Sequence, residues 1–153
     1  MLLCATLAAG ALAAGGTPAG LAAPVPRRAL LRDLACHQAA SPLARYVSVT
    51  ALMRPLAGTR HMRMRFSLLA MTTGQRAFHA LLAGRLGKWL APPDPTLGQR
   101  PGDRWLVSEP VHGLQAGVYR FRVRFAWIGA GGALIASAVR SSGLCVQRDA
   151  AGG

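Results

Sequence analysis

Ten residues, Val118 to Trp127, constrain this chain more than any other stretch. Tyr119, Phe121, Val123, Phe125 and Trp127 alternate there with Arg120, Arg122 and Arg124. A period of two puts the five large apolar side chains on one face of a strand and the arginines on the other. A helix would scatter the same residues around its circumference. The segment is expected as a central strand with one buried and one wet face, and the rest of the fold has to cover its apolar side.

The same period recurs. Val47, Val49 and Ala51 alternate with Tyr46, Ser48 and Thr50, and Met62, Met64, Phe66 and Leu68 alternate with His61, Arg63, Arg65 and Ser67. Trp105 to Val111 and Ala133 to Arg140 also read as strands, with turns at Pro55/Gly58, Thr72-Thr73-Gly74 and Gly129 to Gly132. Residues 76–90 fit two templates, because Phe78, Leu81 and Leu82 also share a helix face. Gly84 and Gly87 disfavour a long helix, so two short strands, 76–82 and 86–90, are expected. Ala91 to Asp103 carries four prolines and two glycines and reads as a long loop, of the kind that is either functional or mobile. About seven strands separated by turns, with no long amphipathic helices between them, point to an all-β sandwich or barrel.

The ends bear on compartment. Residues 1–23 carry no charge and finish on Gly20-Leu21-Ala22-Ala23, which reads as a signal peptide without a basic start, or alternatively as a membrane anchor. Residues 24–43 read as a preamble, with one or two helical turns from Ala29 to Ala35, and residues 148–153 as a flexible tail. Beyond the signal segment only Cys36 and Cys145 remain, and two cysteines in a small exported domain are expected to pair. Closing so long a loop contributes about 4–5 kcal/mol on the chain-entropy model.

The run Gln115-Ala116-Gly117-Val118-Tyr119-Arg120-Phe121 resembles the corner leading into strand F of immunoglobulin-like domains, where an acidic-x-Gly-x-Tyr-x-Cys pattern places a tyrosine that bonds back to the backbone. Leu114 before it is similar to the equivalent fibronectin type III position. The resemblance implies an immunoglobulin-like antiparallel β-sandwich over residues 44–147, with Tyr119 as the structural corner residue. It also implies Phe121 in the core site otherwise held by cysteine, and Trp89 as a candidate core tryptophan of strand C. Gln115 stands where the acid would be, and no inter-sheet cysteine pair joins strands B and F. The chain is also similar to secreted proteins of high-GC bacteria that carry adhesion-related modules of this kind, which implies an address and no reaction.

The net charge is +13, with five acids dispersed as Asp33, Asp94, Asp103, Glu109 and Asp149. Such a balance suits an anionic partner. Seventeen arginines against the single Lys88, beside abundant Ala and Gly, also fit the coding bias of a high-GC genome, and both origins stay open. No G-x-S-x-G or H-E-x-x-H motif occurs, so no catalytic residue is expected. Neither cysteine sits in a C-x-x-C spacing and the histidines are scattered, so neither a metal nor a cofactor is expected. Cys36-His37 reads as half of a disulfide rather than as a nucleophile, and Gly129-x-Gly131 as a hairpin turn rather than a dinucleotide loop.

Two surface features remain. Arg63/Arg65 and Arg120/Arg122/Arg124 line the wet faces of their strands as candidate anion contacts. Counted as strands B and F of an immunoglobulin topology, those strands fall in opposite sheets. Two opposite basic faces argue against a nucleic-acid channel and for a generally cationic surface that adheres to an anionic cell-wall polymer or polysaccharide. Membrane contact is expected only through an uncleaved N-terminal segment. The alternative is a carbohydrate- or ligand-binding sandwich in which Trp89 and Trp105, flanking the 91–103 loop, stack on the ligand.

Overall fold

The computed structural model describes residues 27–149; the signal segment read over residues 1–23 and the last residues of the tail lie outside it. Nine strands follow one another: β1 (Ala29–His37), β2 (Tyr46–Met53), β3 (His61–Thr72), β4 (His79–Leu81), β5 (Trp89–Leu90), β6 (Trp105–His112), β7 (Gly117–Ile128), β8 (Leu134–Ser141) and β9 (Cys145–Gln147). Helical pieces such as Pro42–Ala44 and Ala130–Gly132 are short 3-10 turns.

The strands form two antiparallel sheets. The smaller has the order β1-β2-β6, and the larger has β4-β3-β7-β8, with β5 also on β3 and β9 also on β7. The fold is all-β and sandwich-like, and its inner layers follow the alternation. Met62, Met64, Phe66 and Leu68 of β3 and Tyr119, Phe121, Val123, Phe125 and Trp127 of β7 are buried against Val47, Val49, Ala51 and Met53 of β2 and Trp105 of β6. Phe66 meets Phe121 edge to face at 6.5 Å, a favoured aromatic geometry.

Three features fasten the sheets together. Trp127 is the core tryptophan, fully buried, and its Nε1 donates 2.7 Å to the Arg54 carbonyl at the exit of β2. Cys36 of β1 is bonded to Cys145 of β9, with Cα atoms 5.4 Å apart. Beside that disulfide the buried Gln147 amide donates to the carbonyls of His37 (3.0 Å) and Tyr46 (3.3 Å), pinning β9 to the smaller sheet.

The segment read as a preamble is corrected by this topology. Ala29 to His37 is a strand paired along β2, from Ala29 opposite Met53 to His37 opposite Tyr46, so the sandwich begins at residue 29 and not at 44. Its register shifts between Arg32 and Ala35, where Asp33 has φ 52°, and that bulge breaks the alternation a reader would look for. The expected strands 76–82 and 86–90 shrink to β4 and β5, three and two residues.

Candidate functional site

β3 and β7 pair in register along their whole length, from His61 opposite Ile128 to Thr72 opposite Gly117. Directly paired residues in a sheet point to the same side. Since the even-numbered residues of β3 and the odd-numbered ones of β7 fill the core, the arginines of both strands share the outer face of the larger sheet. The expectation that the two rows lie on opposite faces is corrected. Once β1 is counted, the strand bearing Arg63 and Arg65 is third in the chain rather than second, and it lies beside β7.

The register arranges the face in rungs. Arg63 stands opposite Ala126, Arg65 opposite Arg124, Ser67 opposite Arg122, and Leu69 opposite Arg120. Successive rungs are about 6.8 Å apart, so Arg63 and Arg120 lie about 20 Å apart along the sheet. No acid occurs on β3, β4, β5, β7 or β8. The one ion pair among the described residues joins Arg85 to Glu109 and belongs to another region.

Two aromatic side chains interleave with the arginines. Trp89 of β5 pairs with Arg65, whose guanidinium carbon sits 5.0 Å from the indole centroid. Phe78, just before β4, lies under Arg120 at 5.2 Å. Both distances fall within cation–π range, which draws a guanidinium to the ring without neutralising it. Trp89 is 43 % exposed, so the expectation that it is a core tryptophan is corrected. Its pairing with an outward-facing arginine fixes it on the wet side.

The opposite outer surface differs. On the smaller sheet the outward strand positions are Leu30, Arg32, Ala35 and His37 of β1, Tyr46, Ser48, Thr50 and Leu52 of β2, and Leu106, Ser108, Pro110 and His112 of β6. Arg32 is the sole charge among them. His37, Tyr46 and His112 stack across its end, with centroids 5.0 and 5.3 Å apart.

Trp105, the second expected stacking residue, points into the core at 5 % exposure, so the two tryptophans flanking the loop present no shared platform. The loop itself is tied down by its acids. Asp103 accepts from the backbone amides of Gly98 (2.7 Å) and Arg100 (3.1 Å), and Asp94 accepts from the amide and hydroxyl of Thr96, both at 2.8 Å. These bonds favour the charged forms and hold both carboxyls below the usual range. Gly98 closes the loop against the core, where a Cβ would meet Met62 at 2.9 Å with φ at +105°.

Tyr119 donates its hydroxyl to the Gln115 carbonyl at 2.8 Å, four residues upstream. Burial pushes its phenol up, with the Arg45 charge opposing the shift. Gly117 of the same corner lies so close to β3 that a Cβ would come within 2.9 Å of the Met71 carbonyl oxygen.

A pair that gave no sequence signal sits at the other side of the sandwich. Glu109 shares the inner face of β6 with Trp105 and is buried. Arg85, reaching in from the segment between β4 and β5, places Nη2 2.7 Å from Glu109 Oε2 without an aligned hydrogen bond to it. Arg85 also donates to the Ser108 carbonyl at 3.3 Å. Arg85 also lines an open cleft of about 640 Å³ together with Leu90, Pro93, Arg104 and Trp105.

Among the described residues no three His, Cys, Asp or Glu side chains gather into a group that could hold a metal ion. None of the helical pieces there is long and apolar enough to cross a membrane. Comparison with known proteins returns no match to a family model, to a curated protein or to a solved structure.

Proposed function

We propose that this chain is an extracellular, non-enzymatic immunoglobulin-like module that attaches to an anionic polymer of the cell envelope through the arginine face of β3 and β7. The pairing of Arg65 directly opposite Arg124 carries the reading. Like charges placed directly opposite one another in a sheet destabilise it. No carboxylate on the surrounding strands offsets that repulsion. Only the Trp89 ring beside Arg65 offsets that cost, and a like-charge rung kept on one face marks a functional surface.

The asymmetry of the two outer surfaces favours selection over coding bias. A genome-wide preference for arginine would populate both sheets alike, whereas five arginines crowd β3 and β7 and one occupies the outward positions of the smaller sheet. The immunoglobulin-like assignment is supported by strand order. Read as A, B and E, the strands β1, β2 and β6 form one layer, and β3, β7 and β8 form the other as C, F and G. The Tyr119 hydrogen bond has the form of the corner at the start of strand F. The disulfide supports an oxidising compartment.

Retention on an immobilised acidic polysaccharide tests the attachment. The protein is expected to bind at low salt and elute as ionic strength rises, because arginine contacts release counterions. Flow-through at low salt removes the proposal.

A further inference from the structure

We propose that the polymer which fits this face best is single-stranded nucleic acid, with a base stacking on the Arg65–Trp89 pair and Arg120, Arg122 and Arg124 holding successive phosphates. This rests on the basic face of β3 and β7 read above as a polyanion-binding surface, and it assigns that face a nucleic acid in place of an envelope polymer.

Three observations select a single strand. First, Arg120, Arg122 and Arg124 project from alternate positions of one strand at a repeat of about 6.8 Å. That repeat matches phosphates strung along an extended nucleotide chain, one arginine to each. Second, the exposed aromatic surface is already roofed by guanidinium at Trp89 and at Phe78. Bases stack on indole rings and on guanidinium groups alike, and single-stranded nucleic acids are held by such aromatic and arginine surfaces. Third, the surface is an open sheet about 20 Å long, and among the described residues no long helix rises from it to enter a duplex groove. The two arginine–aromatic pairs lie two rungs apart, about 14 Å, with Ser67 and Arg122 between them. A flexible strand can place bases at both and its backbone across the arginines.

Tryptophan emission isolates the site. Of the three tryptophans, Trp105 and Trp127 are buried and only Trp89 is substantially exposed. The full chain is titrated with a 15-nucleotide oligothymidylate, a 15-base-pair duplex and dextran sulfate, following emission and binding together. Oligothymidylate is expected to quench Trp89 and to bind with a log–log salt slope of about −2.1 for the three phosphate-holding arginines, at 0.7 per contact on a single strand. Trp89→Ala is expected to weaken it about tenfold, at the lower end for loss of one stacked base, while Trp89→Phe restores most of the affinity. The thermal transition of Trp89→Ala checks that the fold is intact. Dextran sulfate is expected to bind without quenching and without dependence on Trp89.

If oligothymidylate binds no better than dextran sulfate and Trp89→Ala changes neither, the nucleic-acid inference falls and the attachment reading stands. Preference for the duplex likewise overturns the inference. Failure of all three polymers overturns both.

Discussion

Removal of Arg85 is expected to unmask the one acid that the sandwich buries. In the folded chain the Glu109 side chain is 7 % exposed and the Arg85 side chain 55 % exposed, at 2.7 Å. Arg85→Ala leaves a carboxylate facing the core with no cation beside it. A fully buried pair broken in this way loses about 3–5 kcal/mol, and an exposed pair about 0–1 kcal/mol. With one partner buried and the other half in water, a loss of about 2 kcal/mol is expected, or about 8 °C in Tm for a domain of this size. The penalty belongs to the stranded charge, so adding Glu109→Leu should return most of it, since apolar replacement of a buried pair is close to neutral. Urea unfolding of the two single variants and the double variant measures this cycle. If Arg85→Ala unfolds within about 0.5 kcal/mol of the parent, or the double variant is no more stable than Arg85→Ala, the carboxylate is not buried as described.

Other outcomes follow from single contacts. Tyr119→Phe removes the hydroxyl bonded to the Gln115 carbonyl, which lies in an exposed turn that water can reach, and should cost about 1 kcal/mol in denaturant unfolding. Gly117→Ala drives a Cβ to within 2.9 Å of a β3 backbone oxygen and 3.1 Å of the Thr72 Cα, so a loss of about 2 kcal/mol or more is expected by the same assay. Backbone and hydroxyl donors hold the Asp94 and Asp103 carboxyls below the ordinary aspartate range, so their hold on the 91–103 loop is complete above that range and is lost as pH falls through the lower folded values. The amide resonances of Thr96, Gly98 and Arg100 should therefore shift together on acidification below that range and stay fixed near neutrality.

Periodicity reveals which way a side chain points, and it was sufficient for the core. Tyr119 to Trp127 and Met62 to Leu68 are buried as their alternation requires. It carries no information on which strand lies beside which. Leu30-Leu31-Arg32-Asp33 has no period because the strand bulges at Asp33, and so the sequence alone does not mark β1 as a strand. Losing one strand from the count moved the arginines of β3 into the wrong sheet and divided a single basic face into two. Trp89 shows the same limit, since its wet position follows from pairing with Arg65, a contact across 24 positions of sequence. Glu109 and Arg85 likewise meet only through the packed fold, and neither stands out along the chain.

Where the positive charge sits, rather than how much of it there is, decides whether β3 and β7 form a binding face. Arg122→Ser/Arg124→Ser and Arg32→Ser/Arg104→Ser each remove two charges, the first pair from the face of β7 and the second from β1 and the residue preceding β6. Salt elution of both double variants from an immobilised polyanion compares them at equal net charge. The proposed face predicts that the first variant elutes at markedly lower salt, with its salt slope reduced by about 1.4, and that the second elutes close to the parent. Equal shifts for the two variants would contradict it and return the arginine excess to composition alone.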